Sequence, residues 1–167
     1  MMADALEYAK RGWPVFPCRQ KDKRPLTPAA EGGSGGLKLA TTNIETIKAW
    51  WTRWPKAMIG VPTGNPIKAF VVDLDAGIDK NTGEVFEFED LLRRLESKIG
   101  TALPRTWMSK TPRGGRHVFF AMPEGKDIGN RAGLIDRVDI RGTGGYVVVP
   151  PSRRLDGASY DWVVAPW

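Results

Sequence analysis

The chain has 167 residues, 41% hydrophobic and 26% charged, a globular balance that supports a packed core and suits one domain, whole or cut from a longer protein. Lysine and arginine number 25 against 19 acids, a formal charge of +6, which favours polyanionic partners such as nucleic acid or nucleotides. One cysteine, Cys18, excludes an internal disulfide, and one histidine, His117, excludes a self-contained Cys/His zinc site. No run approaches the roughly 18 apolar residues that span a bilayer, and Met1 to Arg11 carries no signal-peptide pattern. The expectation is a cytoplasmic protein with no membrane partner.

Ala3 to Lys10 reads as a short helix with Asp4 and Glu7 in its first turn, ended by Gly12. Trp13 to Pro17 is extended, because a residue before proline is pushed from helical geometry. Gln20 to Pro25 is a basic turn, with Lys21, Lys23 and Arg24 either contacting phosphate or simply solvated. Glu31 to Gly36 holds four glycines and reads as a flexible loop without an assigned role. The next segment is a helix, with Thr42 and Glu45 at capping-box spacing, an apolar stripe of Ile44, Ile47, Trp51 and Trp54, and Pro55 as its stop. Ile59 to Gly64 is a short strand and turn leading into the central strand, with the Thr63 hydroxyl and the permissive backbone of Gly64 beside that strand's acids.

The central strand is Ala69 to Asp75. Side chains alternate faces along a strand, so Phe70, Val72 and Leu74 form an anchoring face while Val71, Asp73 and Asp75 point the other way. Two carboxylates this close repel unless a positive charge sits between them, which a divalent cation would supply. Beyond a polar loop, Asp79 to Glu84, the apolar positions Phe88, Leu91, Leu92, Leu95 and Ile99 mark an amphipathic helix over Glu87 to Ile99, with Gly100 at its end. Thr106–Lys110 and His117–Ala121 flank a Pro-Arg-Gly-Gly turn as a hairpin. Met122 to Gly133 reads as loop. Arg137–Arg141 alternates polar and apolar, then turns through Gly142–Gly145 and returns as Tyr146–Val149, stopped by Pro150 and Pro151. The tail through Arg153, Arg154, Tyr160 and Trp162 reads as one more turn and an edge strand.

Alternation puts His117 with Phe119, and Arg137 with Asp139 and Arg141. Were these strands to flank the central one, three carboxylates, one imidazole and several guanidinium groups would converge. Each has a plain alternative: Asp139 paired only with Arg137 or Arg141, and the histidine structural.

Three stretches, VVDLD (Val71–Asp75), TPRGGRH (Thr111–His117) and VDIRGTGGYVVVPPS (Val138–Ser152), resemble in order the motifs of bifunctional DNA primase–polymerases of the archaeo-eukaryotic primase superfamily. ALEYAKRGWPVFP, Lys23-Arg24-Pro25, ATTNIETIKAWW and VPTG agree as well, so the resemblance runs from about Ala5 to Trp162. It implies an α/β (α+β) fold, an N-terminal α/β unit packed with an RRM-like mixed sheet. It also implies templated nucleotide addition to a 3′-hydroxyl from dNTP or NTP on single-stranded DNA template and primer, with the first dinucleotide made without a primer. Asp73, Asp75 and Asp139 map onto metal ligands for two Mg²⁺ or Mn²⁺ ions, and His117 onto the contact to the incoming triphosphate. Arg116, Arg141 and Ser152 are added as phosphate neighbours; Tyr146 either lies under the sugar or is plain strand packing. Carboxylates and cations without a Ser or Cys nucleophile suit phosphoryl transfer, which needs mainly positioning and charge neutralisation. Glycines 114–115 and 142–145 would let backbone amides approach phosphates.

Family members usually carry further modules, so the expectation is a catalytic domain excised from a larger replication protein of phage or plasmid type, with a helicase module elsewhere. Two other readings use the same residues: a two-metal nuclease, and a non-catalytic RRM-like nucleic-acid-binding module. The acids argue against the latter, because such readers present aromatics on the sheet.

Overall fold

The computed structural model describes residues 1–27, 36–79 and 81–167. Residues 31–35 of the glycine-rich stretch, and Lys80 of the polar loop, therefore lie outside the described residues. The fold is mixed α+β. Its N-terminal unit comprises α1 (Met2–Lys10), β1 (Phe16–Cys18), α2 (Ile44–Arg53) and β2 (Met58–Pro62). Then come β3 (Ala69–Leu74), β4 (Gly77–Ile78), β5 (Val85–Phe86), α3 (Phe88–Ile99), β6 (Met108–Lys110), β7 (Arg116–Ala121), β8 (Arg131–Ile135), β9 (Val138–Arg141), β10 (Tyr146–Val149) and β11 (Asp161–Val164).

Strands β11-β6-β7-β3-β9-β8 form one six-stranded sheet, every ladder antiparallel, with β3 near its middle. Strands β1-β2-β10 form a second, three-stranded sheet. The expected alternation along β3 divides the core in two. Val72 and Leu74 pack with Val118, Val138 and α3 residues Leu91 and Leu95 on one face. Val71 and Phe119 pack on the other against Ala5 and Tyr8 of α1, Ile47 and Trp51 of α2, and Ile59 and Val61 of β2. Each fully buried Val, Leu, Ile or Phe among these contributes about 1.5–3 kcal/mol over leaving it in water, so the large sheet is clamped from both sides. Among the described residues no helix is long and apolar enough to cross a membrane.

Four local features differ from the sequence expectation. The α2 cap is Asn43, whose Oδ1 accepts from Thr46 N–H at 2.9 Å, while Ile44 of the expected stripe is 56% exposed. Asparagine caps as well as threonine does, and here its neighbour Thr41 binds the Asn43 N–H instead. The end of the Met122–Gly133 loop is part of β8, an edge strand whose exposed Arg131-Ala132-Gly133 carries no apolar alternation to reveal it. Strand β10 does not return beside β9. It pairs with β2, Val148 opposite Gly60, so residues 142–145 carry the chain from one sheet to the other. The Thr63 hydroxyl fastens that crossing by donating to Gly142 O at 2.8 Å.

Candidate active site

The register of the large sheet builds the site. Asp73 on β3 stands directly opposite His117 on β7 and directly opposite Asp139 on β9, so all three side chains leave the sheet on one face. They lie where the core of that face ends: one rung back, Val71 and Phe119 are buried, whereas Asp73 and Asp139 are only half-buried. Three polar groups on one rung of a sheet have no apolar cover to offer each other, and a cavity of about 270 Å³ opens against Asp73 and His117, with Asp139 beside it and outside its lining. Its walls include Asp73, His117, Arg141, Asn130, Tyr146, Tyr160 and, from the basic turn, Asp22 and Lys23.

Arg141, two residues beyond Asp139 and on the same face, joins the two acids. Its Nη2 lies 2.8 Å from Asp139 Oδ2 and 3.4 Å from Asp73 Oδ2. Asp139 Oδ1 also accepts the Gly133 N–H at 2.8 Å. Asp75 continues the alternation past the strand end, its N–H donating to Arg137 O at 2.9 Å, and its side chain is exposed. His117 is 5% exposed, with Nε2 3.6 Å from Asp73 Oδ1. Burial pushes its pKa below the usual imidazole range, opposed by Asp73 and reinforced by Lys23 and Arg141. The imidazole is accordingly neutral, and its approach to Asp73 is a polar contact, not an ion pair.

Two expected neighbours are not brought to this face. Arg116 precedes His117, so alternation sends it to the other side of the sheet, where its guanidinium caps the Gly114 and Gly115 carbonyls and lies 4.6 Å over the Phe88 ring of α3. Ser152 is fully buried below the second sheet, its Oγ accepting the Ile59 N–H at 2.8 Å. Arg137 also leaves the shared face: a positive φ of 59° in the β8–β9 turn directs it to Asp79 and to the Phe86 ring, 4.0 Å away. Tyr146 does line the cavity. It packs edge-on against Phe16 and its hydroxyl donates to Lys23 O at 3.2 Å. Gly142 and Gly115 serve the chain's own packing: a Cβ on Gly142 would overlap the Ile128 carbonyl oxygen, and one on Gly115 the Leu74 carbonyl oxygen.

The basic turn contributes more than its composition suggests. Lys23 holds a positive φ of 65°, costly for a non-glycine residue and sustained only where surrounding bonds over-determine it. Those bonds are Lys23 N–H to Arg19 O, Arg19 N–H to Arg24 O, and the Tyr146 hydroxyl to Lys23 O. A second cleft of about 320 Å³, sharing Lys23 and Asp22 with the first cavity, is lined by Lys21, Arg113 and Arg154, and Asp22 is its one acid among the described residues. Tyr160, Asn130 and Arg154 are not among the site residues that the sequence suggests. Asn130 lies in a polar stretch and Arg154 and Tyr160 in a tail that reads only as a turn and an edge strand, so no local pattern directs them to the site.

As the side chains stand, no group of three His, Cys, Asp or Glu among the described residues is arranged to hold a metal ion. The donor chemistry nevertheless suits a hard divalent cation: two carboxylates held opposite one another by register already share one positive group, and a third carboxylate stands at the same strand end.

No curated protein matches the chain. Residues 5–166 match the family model of the N-terminal domain of bifunctional DNA primase/polymerases. The three motifs behind the resemblance fall within that span, and the first and third meet in the sheet through Asp73 and Asp139, the second through His117. The chain therefore belongs to the bifunctional DNA primase/polymerase family, at its N-terminal domain, a family of DNA primase/polymerase-type nucleotidyltransferases.

Proposed function

We propose that this domain transfers a nucleotidyl group from a dNTP or NTP to a templated 3′-hydroxyl, with Asp73, Asp139 and Asp75 holding Mg²⁺ or Mn²⁺ and His117 contacting the triphosphate. One observation carries the reading: the rung that sets His117, Asp73 and Asp139 side by side, with His117 and Asp73 lining a cavity and Arg141 reaching from that cavity across the two acids. Divalent cations bound there would supply activation of the attacking hydroxyl and charge neutralisation of the leaving pyrophosphate.

The chain's own residues perform the positioning. Arg141 keeps two like charges paired on adjacent strands, so the acids stay together before any ligand arrives. His117, neutral and almost fully enclosed, offers an N–H donor whose orientation the sheet constrains. Lys23 and the cleft lined by Lys21, Arg113 and Arg154 supply a surplus of positive charge next to His117, suited to the distal phosphates. Tyr146, anchored by its hydroxyl, forms a flat wall suited to the sugar. Arg116 and Ser152 have no part in this reading.

The test is primer extension on a DNA template with Mg²⁺ or Mn²⁺ and separate dNTP and rNTP lanes. Wild type extends the primer; Asp73→Ala and Asp139→Ala fall by at least about a hundredfold, the scale lost with a group that stabilises transition-state charge. A shortened primer would make the domain a nuclease. Full activity in Asp73→Ala, or none in wild type with either metal, would leave a binding module.

A further inference from the structure

The rung that carries the acids extends further than His117. Across the sheet it reads Trp162 on β11, Ser109 on β6, His117 on β7, Asp73 on β3 and Asp139 on β9. Ser109 is fully buried and belongs to none of the three motifs. Among the described residues its Oγ has no hydrogen-bond partner, and neither has His117 Nδ1, also fully enclosed. Leaving a buried polar atom unpaired is costly enough that such atoms are uncommon in folded proteins. Here two of them stand on neighbouring positions of one rung, where opposed Cβ atoms are about 4.5–5.5 Å apart.

Their chemistry is complementary in one direction. His117 Nε2 faces Asp73 Oδ1 at 3.6 Å, and a carboxylate only accepts, so the ring proton belongs on Nε2. Nδ1 is then a bare acceptor that needs a donor. Trp162, on the far side of Ser109, has committed its N–H to the Tyr8 oxygen at 3.0 Å. A serine hydroxyl donates or accepts according to how its single χ1 torsion and its proton are set. We propose that the Ser109 hydroxyl donates to Nδ1 of His117 and holds the imidazole as the Nε2–H tautomer facing the cavity. Ser109 is thus a positioning residue, setting which histidine nitrogen can donate to a ligand. The consequence for nucleotide binding rests on the triphosphate role given to His117; the hydrogen bond itself does not. The competing donor is Tyr160, whose hydroxyl is also buried and unpartnered and whose ring lies 5.8 Å from the imidazole.

The chain's one histidine makes the test direct. With ¹⁵N-labelled histidine, two-bond ¹H–¹⁵N correlation spectra at neutral pH report the tautomer of His117 alone. Wild type should show the Nε2–H form. Ser109→Ala should shift Nδ1 or mix the tautomers, Ser109→Thr should restore the wild-type pattern, and Tyr160→Phe should match wild type. In binding assays with dATP and Mg²⁺, Ser109→Ala should weaken affinity about threefold to tenfold, the scale of one hydrogen bond, with DNA binding unchanged. A wild-type ring protonated on Nδ1, an unaltered spectrum in Ser109→Ala, or a change in Tyr160→Phe alone overturns the proposal, and the wild-type spectrum decides the tautomer even if a variant fails to fold. If instead His117→Ala leaves dATP affinity untouched, the triphosphate role fails and the hydrogen bond stands.

Discussion

His117 and Asp73 show how much one position on a strand decides. Moving either by one residue would bury it among the leucines and valines under α3, where Arg116 shows the outcome for a charged neighbour: its head is spent on two carbonyls and a phenyl ring. Because His117 faces the cavity and Arg116 does not, the two make a matched pair for mutagenesis. His117→Ala should weaken nucleotide binding about tenfold or more while DNA affinity changes little, the scale of a lost hydrogen bond to a charged group. Arg116→Ala should leave both affinities near wild type and lower the melting temperature through lost packing over Phe88. Isothermal titration with dATP and with primed DNA, beside a melting curve, checks all three; equal loss of both ligands in His117→Ala would count against its role.

Among the elements, the crossing from β9 to β10 has the strictest demands. Gly142 is pressed against the Ile128 carbonyl and its own carbonyl accepts the Thr63 hydroxyl, so the six-stranded and three-stranded sheets are tied together at this point. Gly142→Ala has to push the Ile128 backbone aside. A loss of about 1–3 kcal/mol is expected from overpacking of this kind, read as a lower midpoint in urea. Ser152→Ala makes the complementary case at the far end of β10. It strips the Ile59 N–H of its partner inside the second sheet, at a cost of about 1–3 kcal/mol. Its extension rate per folded molecule should equal wild type, since the hydroxyl is fully engaged away from the cavity. A rate defect in a stable Ser152→Ala would restore the serine to the phosphate site.

At the scale of the whole molecule, a net charge of +6 and a cleft with four cations lined up beyond the acids predict binding dominated by phosphate contacts. Affinity for single-stranded DNA should fall linearly on a log–log plot against salt, and removing Lys21 and Arg113 together should flatten the slope by about one to two. Fluorescence anisotropy from low to moderate salt measures it, and an unchanged slope would move the DNA track elsewhere. Strand positions and their facing were legible in the residues, because period-two alternation in Val71–Asp75, His117–Phe119 and Val138–Arg141 is a local property of an extended backbone. So were α1, α3 and the edge strand of the tail. Which strands lie side by side is not local. That Asp139 stands opposite Asp73, that Arg141 bridges them, that β10 leaves for the other sheet and that Lys23 reaches the cavity all depend on contacts between residues far apart in sequence. Pairing energies between distant strands are nearly independent of the local pattern that makes each strand, so the amino-acid order determined which groups face out, and only the packed sheet decided which of them meet.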